Sequence, residues 1–174
     1  MNGQFQLENA STAIAALRVL ENLKIKDEQI IVGVKKAYNS SRLEEIKSGK
    51  LKELLKNNTL ILDSSHNPGG SKALNEFLQT LNCKKHVIIG MMENKDHEKF
   101  FSYFKDISSL TVVDIPNQIN AISGIKLKEK LKNISSLNYK ESIEQAIKSL
   151  KLERNDIVLI TGSIYLAGEV LRIN

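Results

Sequence analysis

The sequence has one cysteine, two prolines and no tryptophan, and aromatic residues fill 5% of its 174 positions. A single thiol, Cys83, excludes an intrachain disulfide and makes a thiolate metal cluster implausible. Its expected state is a small buried hydrophobe. Arginine is also scarce, occurring only at Arg18, Arg42, Arg154 and Arg172. The net charge of +5 is therefore carried by lysine. Without arginine clusters or interleaved aromatics, nucleic-acid binding is not expected. No apolar run approaches the roughly 18 residues that span a bilayer, so no membrane association is expected either. The N-terminus lacks a basic-then-apolar signal pattern, and a cytoplasmic location is the default. Two familiar phosphate motifs are missing: no G-x-x-x-x-G-K-[ST] loop occurs, and no G-x-G-x-x-G follows a strand. His66, His86 and His97 are scattered, with no acidic partners in register, so no metal site is expected.

What is present alternates. Residues Leu7–Leu23 are alanine-rich with helical apolar spacing, and a second helix is expected over Asp27–Ala37 with Asp27 as its N-cap. A turn at Asn39-Ser40-Ser41 leads into a short strand-like piece. Strands are then expected at Thr59–Asp63, His86–Gly90, Leu110–Ile115, Leu137–Lys140 and Ile157–Thr161. Helices are expected at Ser71–Leu81, Glu98–Phe104, Gly124–Leu131, Glu141–Leu150 and Tyr165–Ile173. Strands separated by single helices predict an α/β fold, a Rossmann-like, mostly parallel sheet with helices on both faces. A helical pair precedes it with no strands of its own to pack against. The division expected is a helical tail over 1–38 and an α/β domain over 39–174. The lysine run Lys126–Lys132 reads as the solvated face of a helix.

The richest stretch is L-D-S-S-H-N-P-G-G at Leu62–Gly70. It leaves a strand and enters a helix, and loops beyond the carboxyl ends of parallel strands are where such sheets bind ligands. Asp63 either holds the N–H groups of its own turn or contacts a ribose hydroxyl or metal-bound water. His66 is either an ordinary loop residue or an imidazole that meets a phosphate or ribose, and Asn67 organises the turn beside Pro68. Arg42 either pairs with Glu44 or Glu45 or forms a bidentate phosphate contact. Asn9 sits between apolar positions, which a specific hydrogen bond explains better than helix propensity. Gly162 and Ser163 offer backbone N–H groups at a helix N-terminus, a natural anion site. Gly90–His97 is another carboxyl-end loop, with Asn94-Lys95-Asp96 as a weak signal.

In order, these pieces resemble the folylpolyglutamate synthase and dihydrofolate synthase branch of the Mur ligases. N-G-Q-F-Q-L-E-N-A-S-T-A-I-A-A-L is similar to the family's G-x-H-Q-x-x-N-A-x-x-A-x-x-A segment, which closes the central ATPase domain. S-S-R-L-E resembles the junction G-R-L-E, and L-D-S-S-H-N-P-G-G the family's L-D-G-A-H-N-P. N-K-D resembles D-K-D, and G-S-I-Y-L-A-G-E resembles G-S-L-Y-L-x-G-E. The resemblance covers essentially the whole chain. It departs at Gln4-Phe5-Gln6, Asn39-Ser40-Ser41, Ser64-Ser65 and Asn94.

The resemblance implies the Mur ligase C-terminal fold and an ATP-dependent ligase that joins glutamate to folate, and dihydropteroate as well, through an acyl phosphate. Asn9 would contact the ATP base, Arg42 the phosphates, and Asp63 the ribose or hinge. His66 would sit close to nucleotide and amino acid, with His66 and Asp63 as the catalytic candidates. Ser163 and Tyr165 would hold glutamate. ATP and Mg²⁺ would be bound mainly by N-terminal and central domains absent from this chain, which is expected to be inactive alone. Two other readings stand beside this one: a C-terminal domain from a peptidoglycan Mur ligase, and a stand-alone nucleotide- or amino-acid-binding module.

Overall fold

The computed structural model describes residues 4–20, 22, 24–134 and 137–174. The Asn2-Gly3 start of the first motif, and positions 21 and 23 of the first expected helix, lie outside the described residues. The chain opens with α1 (Gln4–Val19) and α2 (Asp27–Lys36). The Ser11 and Thr12 hydroxyls bond back to the Leu7 and Glu8 carbonyls, at 2.8 and 2.9 Å, so they do not compete with the helix ladder. Asp27 is not the N-cap as expected. Lys26 takes that position and donates its N–H to the Gln29 side chain at 2.9 Å. Asp27 instead enters the first turn, where the helix dipole favours its charge, and pairs with Arg18 at 2.8 Å. No residue of α2 is buried. Leu7, Val19, Ile31 and Val32 stand exposed, so among the described residues the pair leaves apolar surface uncovered.

After this pair come β1 (Glu44–Ile46), α3 (Lys50–Leu54), β2 (Thr59–Leu62), α4 (Pro68–Gln79), β3 (Lys85–Ile89) and α5 (His97–Ser102). Then follow β4 (Ser109–Val113), α6 (Gly124–Lys130), β5 (Leu137–Lys140), α7 (Ile143–Ser149), β6 (Ile157–Thr161) and α8 (Ile164–Ile173). The strands form one sheet in the order β1-β2-β6-β3-β4-β5. β2 through β5 in that order run parallel, and β1 pairs antiparallel to β2 with Glu44 opposite Leu62. This is the mostly parallel α/β sheet that the alternation predicted.

Each face has its own core. Leu74, Leu78, Phe100 and Leu127 bring α4, α5 and α6 onto one face. Leu51, Ile147 and Val170 bring α3, α7 and α8 onto the other. Because both faces are covered, β3 is buried along its entire length and reads as a continuous apolar run after His86. α4 starts three residues earlier than Ser71. Pro68 fits the first helical position, where its missing N–H costs nothing, and the Asn67 side chain caps the helix by accepting from Gly70 N–H at 2.8 Å.

Candidate functional site

β6 lies between β2 and β3, yet the helices that leave these strands go to opposite faces: α4 and α5 to one, α8 to the other. The connections therefore diverge at the carboxyl edge and open a crevice there, the usual ligand position of an open α/β sheet. Backbone bonds sew the three loops together. The Ser65 carbonyl accepts from Gly162 N–H at 3.0 Å, and Gly90 N–H donates to the Thr161 carbonyl at 3.3 Å. Gly162 has φ +106, and a Cβ there would stand 2.7 Å from the Gly90 carbonyl oxygen. The approach of the loops after β3 and β6 needs glycine at that point.

The crevice has a volume of about 770 Å³ and is lined by His66, Asn94, Lys95, Lys126, Ser163 and Tyr165, among others. Three residues selected from the sequence thus meet in one place: His66, Ser163 and Tyr165. His66 Nδ1 lies 3.0 Å from the Ser64 carbonyl. A carbonyl only accepts, so Nδ1 carries the hydrogen, and in the neutral ring Nε2 keeps the lone pair. Ser163 is buried and caps α8, its hydroxyl accepting from Tyr165 N–H at 3.1 Å. Tyr165 is 48% exposed and lines the crevice. The loop carrying Asn94 and Lys95 is anchored at both ends. His97 Nε2 donates to the Met92 carbonyl at 3.0 Å, and the Asp96 side chain caps α5 by accepting from Lys99 N–H at 3.1 Å.

Lys95 and Lys126 make the wall basic, because the one lining carboxylate, Glu93, pairs with Lys130 at 3.5 Å. With the N-terminus of α8 at the same edge, the crevice suits an anion that also presents an amine or hydroxyl to His66. Sequence reasoning missed both lysines as site residues. Lys95 sits in N-K-D, whose position after a strand was the available signal. Lys126 belongs to a lysine run that gives no sign of which member faces a cleft.

The other candidates lie elsewhere. Asn9 lines a groove of about 580 Å³ between α1 and α2. Arg42 lines a smaller groove of about 330 Å³ at the junction, with Tyr38, Glu44 and Lys47. The two grooves share Gln6 and the 37–39 linker, so they adjoin. Arg42 makes neither of the ion pairs weighed for it: among the described residues its guanidinium has no hydrogen-bonded or ionic partner. Asp63 is fully buried. Its Oδ2 accepts from Leu43 N–H at 2.9 Å and its Oδ1 from Ser65 N–H at 2.7 Å. The carboxylate thus holds its own turn and, in addition, the chain beside Arg42. Cys83 is half-buried rather than buried, and desolvation pushes its thiol up, away from a reactive thiolate. Among the described residues no group of three or more His, Cys, Asp or Glu side chains is placed to hold a metal ion, and no helix is long and apolar enough to cross a membrane.

The Mur ligase glutamate ligase domain matches residues 41–164, which takes in β1 through β6 and the crevice lining except Tyr165. The chain belongs to the Mur ligase family. The dihydrofolate synthase/folylpolyglutamate synthase of Haemophilus influenzae is 27% identical to this Mur ligase chain over 183 aligned positions, covering 95% of the chain and 42% of that protein. The folylpolyglutamate synthase of Thermotoga maritima is 27% identical with a TM-score of 0.70, covering 100% of the chain and 41% of that structure. A Mycobacterium tuberculosis folylpolyglutamate synthase complexed with ADP and AMPPCP shares the fold at a TM-score of 0.81 and 19% identity, over 99% of the chain and 40% of that structure. The Mur ligase chain thus spans about two fifths of the length of the relatives it matches.

Proposed function

We propose that this Mur ligase chain is the glutamate-binding part of an ATP-dependent ligase that adds glutamate to a folate, and to dihydropteroate. The carrying observation is the basic crevice in which His66, Lys95, Lys126, Ser163 and Tyr165 converge at the sheet's carboxyl edge. Glutamate offers two carboxylates for the lysines and the α8 terminus, and an amine for His66. The names of the relatives support folate over a peptidoglycan precursor as acceptor. In this reading the acceptor's carboxylate is first phosphorylated by ATP. The glutamate amine then attacks the acyl carbon, phosphate leaves with the C–O bond electrons, and an amide remains. His66 Nε2 takes the proton that the amine must lose. Tyr165 and the lysines fix the amino acid so that attack is effectively unimolecular.

Residues 1–38 then belong to a preceding ATPase domain. They lie outside the matched family segment, and among the described residues their Leu7, Val19, Ile31 and Val32 side chains stay exposed. Asn9 reaches the nucleotide base from that side, while Arg42 approaches the phosphates from the α/β domain. Mg²⁺, which offsets phosphate charge when bound, and the phosphate loop belong to that domain. The chain alone is therefore inactive, and its place of action is the cytoplasm. The test joins this chain to the N-terminal and central portion of the Haemophilus influenzae relative. Phosphate release that requires both glutamate and a folate is expected from the joined protein and not from the chain. A joined, folded protein without glutamate-dependent release sinks the reading.

A further inference from the structure

Arg42 sits between two residues of unusual backbone conformation. Ser41 has φ 55 and Leu43 has φ 48, both in the left-handed region that a serine and a leucine rarely adopt. Such a conformation persists only where its surroundings over-determine it. Two carboxylates do so here. Glu44 Oε2 accepts from Ser41 N–H at 2.7 Å and from the Ser40 hydroxyl at 3.0 Å, while its Oε1 accepts from the Tyr38 hydroxyl at 2.5 Å. Asp63 Oδ2 holds Leu43 N–H from the other side. A third tie joins the Ser41 carbonyl to Ser64 N–H at 2.8 Å. The backbone of Glu44 is itself fixed, because it pairs with Leu62 in the antiparallel edge of the sheet.

Glu44 is the nearest carboxylate in sequence to Arg42, and it does not pair with it. Its carboxylate instead bonds Tyr38, Ser40 and Ser41. We propose that Glu44 is a positioning residue for Arg42: with Asp63, its carboxylate clamps the 41–43 backbone in the conformation that presents an uncommitted guanidinium at the junction groove. The inference rests on the reading of Arg42 as a phosphate ligand, and it makes a prediction opposite in sign to simple electrostatics. Removing a negative charge beside an anion site should tighten anion binding by Coulomb's law. Removing a clamp should weaken it, because the guanidinium must then be ordered at the moment of binding.

The test uses the 174-residue chain with tripolyphosphate as the probe, followed by NMR titration, and amide hydrogen exchange at Ser41 and Leu43 as a second readout. Glu44→Ala is expected to weaken tripolyphosphate binding by about tenfold, the scale of a lost charge-assisted hydrogen bond, and to speed exchange at both amides. Glu44→Gln should restore most of both, because its amide oxygen can still accept from Ser41 N–H. Binding by Glu44→Ala as tight as wild type or tighter, or unchanged exchange, overturns the proposal. If Arg42→Ala binds the probe as well as wild type does, the phosphate reading of Arg42 fails. The exchange rates at Ser41 and Leu43 then decide the clamp by themselves. Should Glu44→Ala not fold, the Tyr38→Phe, Ser40→Ala double variant removes two of the carboxylate's partners and leaves the strand residue in place. The same weakening and faster exchange are expected of it, and their absence counts against the clamp.

Discussion

The Asp63 carboxylate and the Leu43 N–H, twenty residues apart in sequence, form a buried 2.9 Å hydrogen bond that ties the junction to the crevice loop. The other oxygen takes Ser65 N–H, so both oxygens face donors. An amide cannot replace this arrangement, because Asn would point its own NH₂ at one of the two N–H groups. Asp63→Asn should therefore destabilise the chain by about 2 kcal/mol despite its equal size, within the range for losing a buried charged hydrogen bond. Urea unfolding measures this directly. A midpoint and slope equal to wild type would mean that the two bonds contribute nothing net.

Two glycines of the closing motif should respond in opposite directions to alanine. At Gly162 a Cβ meets the Gly90 carbonyl at 2.7 Å and the φ of +106 is unfavourable for any L residue. Gly162→Ala should cost about 2 kcal/mol or more. Gly168 lies inside α8, and a Cβ there meets nothing within 4 Å. Gly168→Ala should stabilise the chain by about 0.5–1 kcal/mol through helix propensity and reduced unfolded-state freedom. Thermal unfolding of the two variants reads both signs, and an equal response would show that the local geometry is not what distinguishes them.

The parallel core was legible because strands buried on both faces read as short apolar runs, and each ends in turn chemistry. The edge was legible only as a short strand-like piece after the Asn39-Ser40-Ser41 turn. β1 is three residues long and carries Glu44-Glu45, and its antiparallel register against Leu60, Ile61 and Leu62 is a long-range pairing that no local pattern encodes. α3 escaped for a similar reason. It is five residues long, and its first N–H groups are held by Asn174, whose Oδ1 accepts from Leu51 N–H across 123 positions of sequence. Of the crevice residues, His66 and Ser163 were readable from their place after strands, and Tyr165, inside α8, only from the family resemblance. The burial of Asp63 was not, since its more distant partner is a backbone N–H, which no side-chain pattern encodes.

Tyr139 gives the chain a pH signature at its alkaline end. Its hydroxyl donates to Asp114 Oδ2 at 2.8 Å, and that bond, with some burial and the nearby charge, pushes its pKa up to about 12. The unfolded phenol titrates near 10, so between the two values the unfolded chain has lost a proton that the folded chain retains. The contribution is complete below about pH 10 and falls away as pH rises toward about 12. Unfolding free energy measured across that range should decline in wild type, and the decline should be shallower in Tyr139→Phe. Identical slopes would mean that other groups carry the alkaline loss. Asp114 also accepts from Gly124 N–H at 2.6 Å, so Tyr139→Phe should leave α6 capped and folded.

His66 is the residue on which the proposed chemistry turns, and its tautomer can be measured before any activity. With Nδ1–H held on the Ser64 carbonyl, nitrogen NMR of the neutral ring should show the proton on Nδ1 and a bare Nε2. In the joined ligase, His66→Ala should then lower kcat by about 10²–10⁴-fold, the usual contribution of a proton-accepting side chain. KM for glutamate should change much less, because Lys95 and Lys126 remain to hold the carboxylates. His66→Gln retains a neutral ligand of similar reach but no basic nitrogen, so it should be as slow as the alanine variant. Wild-type kcat in His66→Gln would assign the imidazole to loop structure, through Ser64, rather than to proton transfer.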